Sequence, residues 1–433
     1  MRLSYDQLNM IKEKMGVDKL WSFSKVSTYD QCSWLYNLKY IRKIRVKGDN
    51  CYTYFGSVAH EIVQDWREGK MEFNEMLPAF NQKVVEWQMK DDPKLQFNSD
   101  KERDGYIENL RHYFKNIKAL PFKVMNERAV LAVFQGIEKY VFQGYLDTEY
   151  VDENGNLVIL DYKTSSMSGF TGKKLIEKAR QLMIYAIGVS QHGRLIDGEM
   201  RKFPIEKIRI RYDMMKYCNI TFMQKNGKEK TTKAERRLWV AHMSNQLRKD
   251  LEDVPKQIEQ LEKEIAKLTK KMNMKKTTPE EAEGYSVQAG DLASEISCLQ
   301  KYNYNPVKIS ELIEEGSTQN TLDAFPPFIK EKYTVTDCYI DVEMTDEVIE
   351  ECKRLLVETL DTIITKSKED DPDKAFNRSR IESSDSYYCV NLCDMKDHCD
   401  FYKEFKQHNE MFLSKQQSNQ PSSEELLAML GLN

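Results

Sequence analysis

The chain of 433 residues has no apolar run long enough to cross a membrane and no recognisable signal peptide. It also lacks the glycine-rich, lysine-containing loop of P-loop nucleotide hydrolases, so it has no visible helicase motor. Its net charge of −4 gives no overall attraction to nucleic acid, so any such binding must come from local patches. We therefore expect a soluble, intracellular, cytoplasmic protein without a membrane partner.

Two apolar segments flank the turn sequence Asp-Glu-Asn-Gly-Asn at residues 152–156. An Asn-Gly turn tolerates positive φ and predicts a β-hairpin. The second segment is apolar on both faces, as a central strand should be. If the loop is centred on Asn154, Asp147 on the first strand lies opposite Asp161 on the second, and Lys163 shares a face with Asp161.

Two carboxylates this close repel each other unless a divalent cation lies between them, so the pair predicts a site for Mg²⁺ or Mn²⁺. A lysine beside that cation can orient a water molecule and stabilise an oxyanion. The combination of Asp147, Asp161 and Lys163 is therefore typical of phosphodiester hydrolysis. The alternative, a surface hairpin with solvated charges, is weaker because the second strand is apolar on both faces.

Two further motifs flank this hairpin. His60 lies upstream in a segment whose apolar residues recur at helical spacing. Gln181 and Tyr185 lie downstream, and their spacing of four places both on one helix face. A lone helix histidine is usually structural, and a lone Gln/Tyr pair carries no meaning. Their order around the hairpin gives both motifs their significance.

In this order the motifs resemble the RecB-like branch of the PD-(D/E)XK nuclease superfamily. The resemblance implies an α/β fold with a restriction-endonuclease-like core, in which helices flank a central mixed sheet. It implies a cation held by His60, Asp147, Asp161 and the backbone carbonyl of Tyr162, an attacking water positioned by Lys163, and a substrate held by Gln181 and Tyr185.

Nine cysteines are present, and three of them, Cys389, Cys393 and Cys399, lie close together in a polar segment. With the early Cys32, they resemble the iron–sulfur RecB-like nucleases, which include the AddB nuclease domain and CRISPR-associated RecB-like exonucleases. The resemblance implies that these four cysteines hold a [4Fe-4S] cluster. The chain departs from the family in having Ser33 in place of proline and three residues between the first two late cysteines. A zinc ion bound by the same four cysteines is the competing assignment, because thiolates suit either metal.

The other cysteines are predicted to be small buried side chains. They are Cys51, Cys218, Cys298, Cys338 and Cys352. Two basic segments, at residues 39–47 and 173–180, are candidates for contact with phosphates, with a solvated helix end as the alternative for the first.

The features typical of the nuclease domain end near residue 224 and resume near residue 334. This predicts a catalytic domain that is interrupted by an insertion. Apolar residues within the insertion recur at heptad spacing from Leu247 to Met272, with Pro255 marking a helix start or kink. An intramolecular helical hairpin is the default interpretation, and a self-associating coiled coil is the alternative. The predicted organisation is a RecB-like nuclease domain at 1–224 and 334–410, a helical insertion at 225–333, and a flexible tail with a short amphipathic helix at 411–433.

The sequence thus predicts a metal-dependent DNA nuclease, favouring an exonuclease on single-stranded ends in recombination, repair or replication. The alternative is a DNA-binding or scaffolding subunit that recruits a helicase or another replication or recombination protein through the insertion or the tail. Complete motifs argue against a scaffold, which need not retain two acids, a lysine and a histidine in register. Glu127 is either an extra acid of the site or, as we favour, a surface glutamate.

Overall fold

The computed structural model describes residues 3–46, 50–224, 226–382 and 386–418. These form a mixed α/β fold with a central mixed sheet flanked by helices, as predicted. The helices are α1 (Tyr5–Met15), α2 (Phe23–Gln31), α3 (Ser33–Tyr36), α4 (Cys51–Arg67), α5 (Phe73–Lys90), α6 (Asp100–Asn116), α7 (Gly172–His192), α8 (Trp239–Glu252), α9 (Val254–Met272), α10 (Pro279–Leu299), α11 (Pro306–Gln319), α12 (Pro327–Lys332), α13 (Asp346–Lys366), α14 (Pro372–Ala375) and α15 (Asp400–Ser418). The strands are β1 (Met125–Gln135), β2 (Lys139–Val151), β3 (Leu157–Lys163), β4 (Arg194–Ile196), β5 (Glu199–Arg201), β6 (Ile208–Met223), β7 (Glu229–Glu235) and β8 (Tyr333–Val342).

The main sheet has the strand order β1-β2-β3-β6-β7, and β8 also pairs with β6. Strands β1 and β2 are antiparallel over their full overlap, as are β2 and β3. Every residue of β3 except the last is buried, which confirms the prediction of a central strand. Strands β4 and β5 form a separate two-stranded sheet.

The turn between β2 and β3 is held by the side chain of Asp152. Its Oδ1 accepts hydrogen bonds from the backbone amides of Asn154 at 3.0 Å and Asn156 at 2.8 Å. Gly155 has a φ of +73°, a conformation that glycine adopts without the steric cost of a Cβ. The local chemistry of these residues therefore fixes where the hairpin reverses.

The hairpin register follows from that turn. Thr148 pairs with Leu160, which is the predicted register centred on Asn154. Continued by one residue, it places Asp147 opposite Asp161. A shift of one residue would turn one of these carboxylates to the other face of the sheet. The turn thus brings the two acids together.

Contacts within the chain divide it into two compact units. The first comprises Met1–Asn98, Ala119–Tyr212 and Ile340–Asn433, and the second comprises Ser99–Lys118 and Asp213–Tyr339. The second unit begins earlier and ends later than the predicted insertion at 225–333. It also includes α6, which precedes the catalytic hairpin in the sequence.

In the first unit, α7 packs directly against β1. A Cβ added at Gly188 of α7 would lie 2.1 Å from the carbonyl oxygen of Leu131, so only glycine permits this approach. Helix α4 is capped by Asn50, whose side chain accepts a hydrogen bond from the amide of Thr53 at 2.9 Å. Both helices carry site residues, and their packing limits where those residues can lie.

The second unit has its own apolar core, built from β6, β7, α8, α11 and α12. Leu247 and Leu251 of the predicted heptad pattern belong to this core. Helix α9 starts at Val254 with Pro255 in its first turn, as the sequence predicted. It packs against α10 as an intramolecular helical hairpin, which is the default interpretation given above.

The predicted tail at 411–433 overlaps α15, which extends to Ser418. The short amphipathic helix predicted near the end of this tail lies outside the described residues. Among the helices that the structure describes, none combines the length and apolar character needed to cross a membrane.

Candidate active site

The two predicted acids lie together at one end of the β2–β3 hairpin. Their side chains are largely buried, with 21% of Asp147 and 10% of Asp161 exposed. The Oδ2 atom of each is buried and accepts no hydrogen bond of normal geometry from the described residues. Buried carboxylate oxygens whose hydrogen-bonding capacity is not filled are candidates for cation binding.

His60, on α4, joins two of the predicted ligands. Its Nε2 lies 2.8 Å from the carbonyl oxygen of Tyr162, and its Nδ1 lies 3.2 Å from Asp147 Oδ2. The ring therefore contacts the carboxylate with one nitrogen and the carbonyl with the other. In this arrangement His60 holds two ligand groups of the predicted set in position.

Lys163 completes the cluster from the end of β3. Its Nζ forms an ion pair with Asp161 Oδ2. The same ammonium lies 5.7 Å from the centre of the Tyr212 ring on β6, a distance at which a cation is attracted by the ring face. The lysine is thus positioned by an acid and by an aromatic ring.

The two carboxylates have opposite pKa shifts. Burial raises the pKa of Asp161, and the charge of Asp147 adds to this rise although Lys163 opposes it. Burial also acts on Asp147, but the hydrogen bond and charge of His60 hold its pKa below the ordinary value. Asp147 therefore stays ionised beside His60, whereas ionised Asp161 depends on a neighbouring cation.

Gln181 and Tyr185 lie on the buried face of α7, where Gln181 Nε2 donates to the Tyr185 hydroxyl at 3.1 Å. Burial raises the pKa of Tyr185, and the charges of Asp147 and Asp161 raise it further, which places the hydroxyl in the electric field of the acids. The sequence predicted the pair on one helix face. The hydrogen bond between them is shown by the structure.

Gly144 of β2 lies directly beneath the Tyr185 ring. A Cβ added there would lie 2.3 Å from Cε1, Cζ and the hydroxyl oxygen of Tyr185. We expect Gly144→Ala to displace the tyrosine, to cost about 1–3 kcal/mol in the free energy of unfolding and to weaken substrate binding. Denaturant unfolding and the KM for the nucleic-acid substrate measure the two effects. Gly284→Ala is the control, since a Cβ at that helical glycine meets no atom within 4 Å; it should leave the KM unchanged and raise the free energy of unfolding by at most about 1 kcal/mol.

An open cleft of about 560 Å³ borders the site on the side of α4 and β1. It is lined by His60 and by three carboxylates, those of Asp147, Glu61 and Glu127. Glu127 has a φ of +46°, an uncommon conformation for a residue with a side chain. Glu127 thus lines the same cleft as His60 and Asp147, and its role as an extra acid stays a prediction.

A divalent cation in this site would be bound by oxygen atoms. In the described ranges, no three His, Cys, Asp or Glu side chains are grouped so as to hold a metal ion. The set that does lie together consists of the carboxylates of Asp147 and Asp161 with the carbonyl of Tyr162. Oxygen donors are the ligands that Mg²⁺ and Mn²⁺ prefer, so these groups fit such an ion.

The four predicted cluster cysteines lie around one cavity in the first unit. Cys32 comes from the start of α3, and Cys389, Cys393 and Cys399 come from the segment before α15. Trp34 and other apolar side chains form the wall beside them. Residues from distant parts of the sequence thus line a single cavity.

Backbone amides point at three of these sulfur atoms. The amide of Leu35 donates to Cys32 Sγ at 3.4 Å. Burial raises the pKa of Cys393 to about 12, while the amide of Met395 opposes this by bonding to its sulfur. Burial also raises the pKa of Cys399, again opposed by amides that bond to its sulfur. Amide donors stabilise thiolates, so this cavity suits sulfur ligands of a metal.

The first basic segment is partly neutralised. Lys39 pairs with Asp394 at 2.7 Å, and Arg42 makes two bonds to Asp373, at 2.9 and 2.5 Å. Lys47 lies outside the described residues. In the second segment, Lys178 precedes Gln181 by three residues and therefore shares its helix face. Arg180 of the same segment pairs with Asp30 at 3.2 Å, so both basic segments are partly neutralised.

The prediction for the remaining cysteines is confirmed for four of them and wrong for one. Cys298 is exposed on α10 because it points away from the α9 contact made by Ile296 and Leu299. The buried ones are Cys51, Cys218, Cys338 and Cys352.

Sequence reasoning missed Gly144 and Tyr212 as parts of the site. Glycine in a strand is a known sign of close approach by another group, so Gly144 carried a signal that was not used. Tyr212 gave none, because a buried aromatic residue in a strand is ordinary.

The superfamily assignment rests on a match between the chain and a family model. Residues 20–284 match the model of the PD-(D/E)XK nuclease superfamily, a range that includes all the acid-site residues and ends before the late cysteines. No curated protein matches the chain. Members of the superfamily are phosphodiester hydrolases that generally use Mg²⁺ or Mn²⁺. Since the match covers more than half of the chain, this protein belongs to the PD-(D/E)XK nuclease superfamily.

Proposed function

We propose that this protein is a metal-dependent DNA nuclease that acts as an exonuclease on single-stranded ends. The observation that carries the proposal is the opposed pair Asp147 and Asp161, each with a buried oxygen that accepts no hydrogen bond of normal geometry among the described residues. Lys163 stands beside this pair. Two buried carboxylates side by side repel each other, and a divalent cation between them would relieve that repulsion.

Each residue of the site has its own proposed role. Asp147, Asp161 and the carbonyl of Tyr162 would hold Mg²⁺ or Mn²⁺, which when bound polarises the phosphodiester and makes a coordinated water more acidic. His60 keeps the Asp147 carboxylate and the carbonyl in place and becomes a further ligand if one ring nitrogen is released. Lys163 orients the attacking water and offsets charge that develops on the phosphate.

The substrate strand would lie along α7. Gln181 and Tyr185 present an amide and a hydroxyl beside the acids, and Lys178 on the same face supplies a positive charge for a backbone phosphate. Single-stranded ends and a role in recombination, repair or replication come from the resemblance to RecB-like nucleases.

We also propose that the four cysteines hold a [4Fe-4S] cluster. Two observations support it: all four line one cavity, and amides bond to three of the sulfurs. A single zinc ion bound by the same four thiolates is the competing assignment, and iron, sulfide and zinc analysis of the purified protein decides between the two.

The nuclease proposal is tested with end-labelled DNA. We expect the purified full-length chain to degrade linear single-stranded DNA in Mn²⁺ or Mg²⁺ and to stop when a chelator removes the ion. Circular single-stranded DNA should resist, because an exonuclease needs an end. Linear duplex DNA and RNA of the same sequence complete the comparison.

Two results would contradict the proposal. If circular single-stranded DNA is cleaved as fast as the linear strand, the protein is an endonuclease and not an exonuclease. Tight DNA binding without cleavage in either cation would favour the scaffolding subunit that recruits a helicase or another replication or recombination protein.

A further inference from the structure

The indole nitrogen of Trp34 is a buried hydrogen-bond donor beside the cysteine cavity. Trp34 is only 6% exposed, and its Nε1 donates no hydrogen bond to any residue that the structure describes. Nearly all buried polar groups in folded proteins are hydrogen-bonded, because a buried donor without an acceptor destabilises the fold. This N–H is therefore a candidate to bond a group that the cavity binds.

The more ordinary outcome for a core tryptophan is seen elsewhere in the first unit. Trp87 is 3% exposed, and its Nε1 donates to the carbonyl of Leu95 at 2.9 Å. Trp34 is buried to a similar degree but lacks such a bond among the described residues. Burial in an apolar wall thus explains the ring of Trp34 but not its unused donor.

The Trp34 ring is held in place by its neighbours. Its backbone amide donates to the carbonyl of Arg378 at 3.0 Å. Phe401 packs against the ring edge to face, with 5.4 Å between the ring centres, and the Arg42 guanidinium lies 4.7 Å from the ring centre. Arg42 is itself bonded twice to Asp373. Because the backbone and the ring are both held, the direction of the N–H is fixed as well.

Sulfur atoms are the main acceptors near this ring. Trp34 lines the cavity that the four cysteines share, and Cys32, Cys393 and Cys399 pack against the apolar group to which it belongs. Apart from sulfurs, the side chains of that group include one acceptor, the Tyr388 hydroxyl. The other members of the group are Leu35, Leu38, Ile44, Val46, Met395 and Phe401.

We propose that the Trp34 indole donates a hydrogen bond to a sulfur of the metal centre held by the four cysteines and thereby raises its reduction potential. The inference rests on the [4Fe-4S] cluster proposed above. Reduction adds one negative charge to such a cluster, and a hydrogen bond to sulfur stabilises negative charge. The reduced form is therefore stabilised more than the oxidised form, which favours reduction.

Trp34→Phe tests this inference, since it keeps an aromatic ring for Phe401 and Arg42 but removes the N–H. We expect the iron and sulfide content of the anaerobically purified full-length chain to stay the same. The equilibrium constant for reduction should fall by about tenfold, which is 59 mV for a one-electron couple. A redox titration with mediator dyes, followed by EPR of the reduced cluster, measures the shift.

Trp66→Phe is the matched control for Trp34→Phe. An arginine also stacks on the Trp66 indole, since the Arg67 guanidinium lies 4.4 Å from its ring centre. Trp66 does not line the cysteine cavity. Its replacement should therefore leave both the metal content and the reduction potential unchanged.

A measurement on the wild type keeps the inference testable if Trp34→Phe loses the cluster. Tryptophan labelled with ¹⁵N in the indole is incorporated into the full-length chain, and pulsed EPR of the reduced protein detects nitrogen nuclei close to the cluster. The chain has five tryptophans, of which Trp34 lines the cysteine cavity. We expect an indole ¹⁵N coupling, and Trp66→Phe should retain it.

The outcomes separate this inference from the cluster assignment on which it rests. A Trp34→Phe variant that keeps its cluster and the wild-type potential would overturn the inference alone, as would a reduced wild-type cluster without indole ¹⁵N coupling. Wild-type protein that contains zinc and no iron would overturn the cluster assignment and this inference together.

Discussion

Asp161→Asn should lower the rate of metal-dependent DNA cleavage by about 10³-fold or more, since a loss of roughly 4 kcal/mol of transition-state stabilisation corresponds to that factor. The amide keeps the shape of the side chain but removes the negative charge that would hold the cation. Losing this charge relieves the repulsion from Asp147 but removes the ion-pair partner of the buried Lys163, so we also expect a lower melting temperature than that of the wild type. Single-turnover cleavage of end-labelled DNA and a thermal melt measure the two quantities.

Glu153→Gln is the matched control for Asp161→Asn. Glu153 is exposed at the tip of the same hairpin, so its change removes one carboxylate without touching the site. Lys163→Ala should also reduce cleavage while DNA binding stays within a few-fold of the wild type, since the lysine acts on the water. Near wild-type cleavage by Asp161→Asn would remove the basis for the assignment of the acid site.

If the four cysteines hold the proposed iron–sulfur cluster, Cys32→Ser should remove that cluster and much of the protein's stability. A link that closes a long loop contributes about 4–5 kcal/mol in the chain-entropy estimate, so the melting temperature should fall by roughly 10 °C. Visible absorbance, iron and sulfide content, and calorimetry of anaerobically purified protein measure the loss. Cleavage by the fraction that remains folded should persist, because the acid site contains no cysteine.

Cys298→Ser provides the comparison for Cys32→Ser. Its thiol is exposed and lies away from the cysteine cavity, so neither the metal content nor the melting temperature should change. If the wild-type protein is colourless and contains zinc but no iron, the four cysteines bind zinc and not an iron–sulfur cluster. An unchanged melting temperature in Cys32→Ser would show that Cys32 is not a ligand of a metal centre that stabilises the fold.

The β2–β3 hairpin could be predicted because its information is local. The turn chemistry around Asn154 sets the register, and the register sets which carboxylates face each other. The helix of His60 and the α7 face of Gln181 and Tyr185 follow from spacing in the same way. In each case a short segment contains all that the prediction needs.

Features that depend on packing between distant segments were not accessible in this way. Helical periodicity shows that α6 has a buried face, but not that this helix belongs with Asp213–Tyr339. The contact of Gly144 with Tyr185 depends on how closely α7 approaches the sheet.

Asp147 and Asp161 lie close together in the sequence, whereas Cys32 and Cys389 lie far apart. This difference sets the order in which the two groups of candidate ligands can come together during synthesis. A β-hairpin forms within about 1–10 μs once its residues are available. At a synthesis rate of about 5–20 residues per second, roughly 10–45 s pass between the emergence of Lys163 and that of Cys389. On the ribosome, the carboxylate pair can therefore meet while the partners of Cys32 have not yet been made.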